Sequence, residues 1–526
     1  MGLEPLQYRV SGRVDLGALC RALPRRLRAR RVRRYVSART FLDTFDWRIY
    51  QRGAVLLEEV APGSGRLLWR ELGSARSLGA LEVARAPRFV SELPEGLFRE
   101  RLGAIVEGRA LLAVARLRSH VRAFDLLNRD GKIVARVASE RSELIGAGGA
   151  PGAALGERVQ LLPVRGYPRA RREVARLLDE AAGLEREDGD LFLAALAALE
   201  RRPGDYSPKL QLRLAHLGRA CTAVRELLLH LLGMLEANQE GVLCDLDAEF
   251  LHDLRVAIRR TRAALRHLGA ALPPPAVARF RAEFAWAGQL TGPARDLDVY
   301  LAEFPRFRAL LPAGMQPDLE SVHELLRSRR ASAHLELVAS LQSERWRALL
   351  AEWRAFLDGA DGAPAGEAGD RAVRELAGES IRRVHRIVLR RGRAIDPEAP
   401  AAKLHELRKR CKDLRYLLEF FRSLYPPAGL AELLQALRGL QDALGTFQDL
   451  EVQVGVLGGL GHELGAGGKA PPEALVALGA LIDRLAQRRE AARASFADRF
   501  AAFDTPARRA LLTELLAAGA RGAEAS

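Results

Sequence analysis

The sequence predicts an α+β multidomain chain: an N-terminal antiparallel β domain, then an all-α domain built as an internal duplication. Three observations carry this. Over residues 1–165, β-branched and aromatic residues fall in short runs broken by glycine or proline. After Arg201-Arg-Pro-Gly-Asp205 the apolar spacing turns helical almost throughout. Within that helical part, His252-Asp-Leu-Arg-Val-Ala-Ile-Arg-Arg-Thr-Arg262 and His405-Glu-Leu-Arg-Lys-Arg-Cys-Lys-Asp-Leu-Arg415 repeat one pattern. His252 and His405, Arg255 and Arg408, and Arg262 and Arg415 all stand 153 residues apart. Ala294-Arg-Asp-Leu-Asp-Val299 and Phe447-Gln-Asp-Leu-Glu-Val452 keep the same offset, so Asp296 answers to Asp449 with no net insertion.

Strands are expected over 32–42, 54–57, 66–70, 80–83, 118–127, 133–139 and 157–164, with a hairpin at Asn128-Arg-Asp-Gly-Lys132, where Gly131 is free to take positive φ. Helices are expected over 169–182 and 183–200. Further helices follow at 208–239, 251–268, 275–290, 296–304 and 319–357. A Gly/Ala/Pro-rich loop at 358–370 separates the halves. The second half repeats the order at 371–393, 404–424, 429–444 and 449–457, then a Gly-rich loop at 458–468 and two final helices. The domain boundaries that follow are 1–200 and 205–517, the latter divided into 205–357 and 371–517.

The 526 residues carry a net charge of +16, which points to polyanionic partners: nucleic acid, anionic membrane or inorganic phosphate chains. Of the 82 basic residues only six are lysine, a bias that makes arginine placement more informative than arginine number. The four cysteines (Cys20, Cys221, Cys244 and Cys411) lie far apart without a CxxC pair and read as small hydrophobes in a reducing compartment. No signal pattern opens the chain, and no apolar run approaches the ~20 residues that cross a bilayer, so a cytoplasmic protein is expected.

Placement decides what the repeats do. On a helix, His252, Arg255, Arg259, Arg262 and Arg266 step +3, +4, +3, +4 along one face. Leu251, Leu254, Ile258, Leu265 and Leu268 run beside them, about 100° away. The second copy sets His405, Arg408, Lys412 and Arg415 against Leu404, Leu407, Cys411, Leu414 and Leu418. A basic stripe is ordinarily a solvated face. Here it adjoins the apolar seam, begins with histidine in both copies, and has few interleaved acids. Arg383, Arg386, Arg390 and Arg393 add a third basic row at +3, +4, +3. Such charge repels itself unless a polyanion fills the furrow. Guanidinium forks match phosphate oxygens, and the scarcity of aromatic residues disfavours stacked bases. Inorganic polyphosphate is the ligand these stripes suit best. Asp296, Asp298 and Asp449 read as helix-terminal and ion-pairing residues that orient the arginines. A metal centre at His252-Asp253 lacks further ligands, and the second copy has Glu406 there.

Two families share these motifs. The His-x-x-Arg-Val-x-x-Arg-Arg-x-Arg run at 252–262, Arg295-Asp-Leu-Asp-Val299, and His405-Glu-Leu-Arg…Lys412-Asp-Leu-Arg-Tyr416 resemble the CHAD family over about residues 205–517. That resemblance implies two four-helix halves related by pseudo-symmetry that bind polyphosphate in a basic furrow. Its binding candidates are His252, Arg255, Arg259, Arg260, Arg262, His405, Arg408, Lys412 and Arg415, to which the stripes add Arg266, Arg383, Arg386, Arg390 and Lys409. Gln448 in place of Arg295, and Glu451 in place of Asp298, depart from the pattern.

Tyr35, Phe41-Leu-Asp-Thr-Phe-Asp-Trp-Arg-Ile-Tyr50-Gln-Arg-Gly53, Leu68-Trp-Arg70 and Arg118-Ser-His-Val-Arg122…Leu127 resemble the CYTH, or triphosphate tunnel metalloenzyme, family. That implies an antiparallel β-tunnel holding a triphosphate and its metal. The family's opening Glu-x-Glu-x-Lys is broken. One register supplies Leu3, Pro5 and Gln7, the other Glu4, Leu6 and Tyr8, and neither gives the paired carboxylates a divalent ion needs.

The expectation is thus a polyphosphate-binding protein with no catalytic or metal-ligating residues and a degenerate tunnel domain. Polyphosphate granules are a further place the ligand would take it. Mg or Mn would be required only if the tunnel were active. Two other readings stay open: a triphosphatase or polyphosphatase acting through the tunnel, and a non-specific nucleic-acid binder. Nothing in the sequence bears on oligomeric state.

Overall fold

A computed structural model of the chain describes residues 6–11, 21–74, 76–187, 189–215, 218–359, 366–466 and 471–521. Leu3, Glu4, Pro5 and Cys20, and residues 360–365 of the expected loop at 358–370, lie outside them. Two compact units are present, Met1–Pro208 and Lys209–Ser526.

The first unit is an antiparallel sheet, nine-stranded among the described residues. Its strands are β1 (Leu6–Val10), β2 (Arg28–Asp43), β3 (Ala54–Ala61), β4 (Ser64–Glu71), β5 (Ser77–Glu82), β6 (Leu112–Leu127), β7 (Ile133–Ile145), β8 (Pro151–Pro163) and β9 (Leu184–Arg186), in spatial order β5-β4-β3-β2-β6-β7-β8-β1-β9. The β6–β7 hairpin turns where the sequence placed it. The Asn128 side chain accepts from the amides of Asp130 (3.1 Å) and Lys132 (2.9 Å), and Gly131 takes φ 74°.

Alternation sorts the side chains onto two faces. One carries Phe41, Leu57, Leu117 and Leu144, covered by Phe192 of a short helix, Leu191–Ala198. On the other face, helix α1 (Leu97–Val106) covers Leu56, Leu67 and Trp69 at one end, and α2 (Pro168–Asp179) covers Val137, Val159 and Leu161 at the other. Taking Leu191–Ala198 as α3, the expected helix over 183–200 is shorter than its composition suggests. Residues 184–186 add to the sheet beside β1, and the helix starts only where Asp190 accepts from the Phe192 amide at 2.9 Å.

The second unit is helical. Its first half comprises α4 (Ala220–Leu243), α5 (Ala248–His267), α6 (Pro274–Leu290), α7 (Gly292–Arg308), α8 (Glu320–Leu341) and α9 (Glu344–Asp358). The second comprises α10 (Val373–Arg393), α11 (Ala401–Phe420), α12 (Pro427–Ala466), α13 (Pro472–Ala494), α14 (Phe496–Phe503) and α15 (Pro506–Arg521). The halves meet about a local twofold relation. Arg219 and Ala372, themselves 153 residues apart, form an antiparallel bridge: the Ala220 amide donates to Arg371 O and the Val373 amide to Gly218 O, both at 2.8 Å. An antiparallel bridge between equivalent residues is what an axis between two repeats requires. Tyr300, Phe304 and Leu326 of the first half share a core with Leu450, Leu457 and Leu481 of the second.

Several expected boundaries move. Helix α4 begins at Ala220 rather than 208 because the preceding backbone is engaged in that bridge. The expected helix 319–357 is two helices, since Ser343 caps a new one through the Trp346 amide at 3.2 Å. Conversely, 429–444 and 449–457 are one 40-residue helix, and it continues through 458–466 where a glycine-rich loop was expected. In the first copy Pro293 sits where α6 gives way to α7; the equivalent residue, Thr446, lacks its ring and keeps its amide donor. After residue 470 there are three helices instead of two, parted at Ser495 and at Thr505-Pro506.

Candidate anion-binding furrow

Helices α5 and α11 carry the two stripes and pack against each other. The apolar row of each is buried: Leu251, Leu254, Ile258, Leu265 and Leu268 in the first, Leu404, Leu407, Cys411, Leu414 and Leu418 in the second. Burying each such side chain stabilises by roughly 1.5–3 kcal/mol, which fixes the rotation of both helices and aims the adjoining basic rows at a common centre. Asp247 starts α5, accepting from the amides of Glu249 (2.9 Å) and Phe250 (3.2 Å).

Four cations occupy that centre. Arg255 and Arg408 are equivalent under the repeat, as are Arg259 and Lys412. The Lys412 ammonium is pushed down to about 7 by burial, then by repulsion from Arg408, Arg259 and Arg255, with Asp449 opposing. Burial also holds Arg255 below the ordinary arginine range; Arg259, Arg295 and Arg262 add to this and Asp296 opposes it. Arg255 Nη1 donates to Gly288 O at 3.3 Å and Thr291 Oγ1 at 3.1 Å, and Arg408 Nη2 donates to Asp449 Oδ1 at 3.2 Å. The Nε atoms of Arg259 and Arg408 are buried without a hydrogen-bond acceptor. Asp296 is raised by burial against the pull of Arg255 and Arg295. The Tyr300 hydroxyl is raised by burial and then by both Asp296 and Asp449, so one carboxylate from each half reaches the same neighbourhood.

Small residues on the neighbouring helices make room. A Cβ at Gly292 would lie 3.5 Å from Arg255 Nη1, and one at its equivalent Gly445 would lie 3.9 Å from Arg408 Nε. At Gly288 a Cβ would come 2.7 Å from Arg262 Nη1. The equivalent residue is Gln441, and there Arg415 Nη1 donates to Gln441 Oε1 at 3.5 Å.

The other sequence candidates have separate surroundings. His405 Nδ1 lies 2.7 Å from Gln448 Oε1. His252 stands at the equivalent place on α5 and is half-buried. Arg260 and Arg266 are held across the repeat by Glu419 (3.1 Å) and Asp413 (3.3 Å), and Arg415 Nε also donates to Glu419. Lys409 is exposed and pairs with Glu406 at 2.8 Å. Arg383 donates to His267 O at 3.1 Å from an exposed position on α10, while Arg386 and Arg390 are exposed on the same helix. Among the described residues, the central four are affected electrostatically by one another, by Arg262 and Arg295, and by Asp296 and Asp449, and these three α10 residues are not in that set. Asp298 binds Arg330 of α8 at 2.8 Å rather than a stripe arginine, and its counterpart Glu451 takes Arg489 of α13 at 3.1 Å. Of the three aspartates expected to orient the arginines, Asp296 and Asp449 are the ones whose charges act on the central cations.

Residues that sequence reading passed over include Asp413, Glu419, Thr291, Gln441 and Tyr300. Asp413 and Glu419 stand where the first copy has Arg260 and Arg266, so aligning the repeats for charge reversals would have found them.

In the sheet unit, the interior face that a tunnel would use is internally neutralised. Half-buried Arg39 lies between Glu59 (2.9 Å) and Glu140, Arg66 also holds Glu59, and Ser119 and Ser142 donate to Glu140 at 2.7 and 2.9 Å. Burial alone would raise both carboxyls, yet Arg39 holds them below the usual range. Among the described residues no group of three or more His, Cys, Asp or Glu side chains is placed to hold a metal. No helix among them is long and apolar enough to cross a membrane.

The CHAD domain family model matches residues 226–458. No curated protein matches the chain. Among solved structures, the CHAD domain from the plant Ricinus communis is 27% identical, covering 58% of this chain and 96% of its own at a TM-score of 0.45. PptA from Streptomyces chartreusis is 18% identical over 54% of this chain and 100% of its own, with a TM-score of 0.41. A Hippeastrum protein described as an adenylyl cyclase with dominant triphosphatase activity is 13% identical over 39% of this chain and 100% of its own, with a TM-score of 0.27.

Proposed function

Residues 226–458 form a CHAD domain, and from that premise we propose that the chain binds inorganic polyphosphate along the furrow between α5 and α11. The observation that supports this reading is the pair Arg259 and Lys412. They are equivalent in the two repeats and electrostatically coupled, and neither has an acidic partner among the described residues. With Arg255 and Arg408 they form a cationic centre whose nearby acids are Asp296 and Asp449. Such a centre costs folding free energy when empty and is relieved when phosphate oxygens replace the missing acceptors.

Arg255, Arg259 and Arg408 would supply paired donors to successive phosphates, and Lys412 a point charge between them. Arg262 and Arg415 extend the row. His252 and His405 stand at its outer ends. Arg260 and Arg266 are assigned a different role, holding α5 to α11. The sheet unit contributes no hydrolysis in this reading, because Arg39 already occupies its interior carboxylates.

The test is competition across ionic strength. Polyphosphate should displace RNA and single-stranded DNA from the full chain at every salt concentration, with a steep loss of affinity as salt rises. Displacement of polyphosphate by either nucleic acid at equal phosphate concentration would instead favour the nucleic-acid reading.

A further inference from the structure

The two basic rows match in sequence but differ in what holds each guanidinium. Arg262 and Arg415 occupy the same place in the repeat. Arg262 of α5 lies against Gly288, where a Cβ would come 2.7 Å from its Nη1. Burial and then Arg266 hold it below the ordinary arginine range, and no carboxylate pairs with it among the described residues. Arg415 of α11 is already engaged. Its Nε donates to Glu419 Oε1 at 2.7 Å, and its Nη1 to Gln441 Oε1 at 3.5 Å. Gln441, which stands where the first copy has Gly288, is itself fixed by donating from Nε2 to Cys411 O at 2.8 Å. Glu419 is fixed in turn by Arg260 of α5 at 3.1 Å.

The bias continues along the rows. Arg408 pairs with Asp449 at 3.2 Å, whereas its equivalent Arg255 donates to neutral acceptors, Gly288 O and Thr291 Oγ1. Lys412, pushed down to about 7, carries only part of a charge at neutral pH, and the equivalent residue is an arginine, Arg259. We propose that the furrow holds its ligand unequally: the first-repeat row of Arg255, Arg259 and Arg262 is the primary seat, and Glu419 with Gln441 withholds Arg415 from the second. This rests on the polyphosphate reading above and makes Arg262 and Gly288 the residues that decide where a chain is seated. On α5 an incoming phosphate meets guanidinium forks with only Asp296 nearby; on α11 it competes with Asp449 and Glu419 for theirs. The row from Arg255 to Arg262 extends roughly 10 Å along its helix, so a short chain fills the seat alone and a longer one goes on to the second row.

Calorimetry on the full chain tests this, with tripolyphosphate and long-chain polyphosphate as probes. Arg262→Gln and Arg415→Gln each remove one positive charge from equivalent places, so attraction by net charge alone would make their effects equal. The unequal seat predicts that Arg262→Gln weakens tripolyphosphate about tenfold or more, and Arg415→Gln by less than about threefold. Gly288→Ala keeps every charge and displaces only the mobile end of Arg262, so it should weaken tripolyphosphate severalfold in a fully folded chain. Long-chain polyphosphate should rank the three variants in the same order with smaller differences, because it also draws on the second row. In a parent that binds, equal losses for Arg262→Gln and Arg415→Gln, or an affinity unmoved by Gly288→Ala, would overturn the unequal seat and leave the polyphosphate reading standing. A parent that binds neither probe would overturn that reading, and the seat with it.

Discussion

Arg260 Nη2 lies 3.1 Å from Glu419 Oε2, joining α5 to α11, and the pair has a counterpart in Arg266 and Asp413 at 3.3 Å. Under the repeat, Arg260 is equivalent to Asp413 and Arg266 to Glu419. A symmetric dimer of identical helices would set the same two positions against each other at both contacts. In this chain the first copy is basic and the second acidic at both positions, an asymmetry open only to copies that have diverged. The Arg260–Glu419 pair is also well enclosed, with side chains 10% and 19% exposed.

Breaking that pair from one side leaves a poorly solvated charge. Arg260→Glu is expected to cost about 3–5 kcal/mol, as truncations of buried pairs do. The swap Arg260→Glu/Glu419→Arg should recover at least half of that. Urea unfolding of the two singles and the double provides the cycle. Additive losses would mean the two residues are not coupled.

Lys412 makes binding depend on pH. Its folded pKa of about 7 lies below the 10.5 of an unperturbed lysine, so the unfolded chain holds more protons between those values. Stability of the unliganded protein should therefore rise as pH climbs from about 7 towards 10, and Lys412→Met should flatten the rise. Arg255, Arg259, Arg408 and Asp449 are the charges acting on it, and a bound polyanion would draw its proton back. Polyphosphate affinity should then fall between pH 7 and 9, with uptake of up to one proton measurable by calorimetry in buffers of different ionisation enthalpy. Lys412→Arg should abolish that uptake.

The fold class and the central cations were legible because they rest on spacing. Buried Leu254 and Leu407 determine where Arg255 and Arg408 point, and a constant offset of 153 shows that the two helices are copies. Helix boundaries were less legible, because they turn on single residues: Ser343 as a cap, or Pro293 against Thr446. The partition of the arginines was hidden for another reason. Arg259 and Arg260 are neighbours with the same chemistry, yet one faces Lys412 and the other Glu419. Only the acid's position on the opposite helix separates them.

The sheet unit should be inert towards phosphoanhydrides. With Glu59 and Glu140 held by Arg39, tripolyphosphate or ATP incubated with Mg²⁺ or Mn²⁺ is expected to release no phosphate above the no-protein control. Metal-dependent release that disappears in a Glu59→Gln/Glu140→Gln variant would restore the enzyme reading.

Ligand length should matter. Four turns of stripe extend roughly 20 Å, so three phosphates cannot engage the cations of both repeats, whereas tens can. Affinity per chain should rise steeply with length from three to about a hundred phosphates and fall more steeply with salt for the longer chains. Equal affinity across that range would mean a single compact site.

The furrow itself is tested most directly by titrating long-chain polyphosphate into a variant with Arg255, Arg259, Arg408 and Lys412 all changed to Gln. These residues flank the apolar rows without forming them, so far-UV circular dichroism should match the parent. Relief of their mutual repulsion should leave the melting temperature unchanged or higher. Affinity should drop at least a hundredfold. Binding at the parent affinity by a variant that is equally helical would contradict the assignment of the furrow.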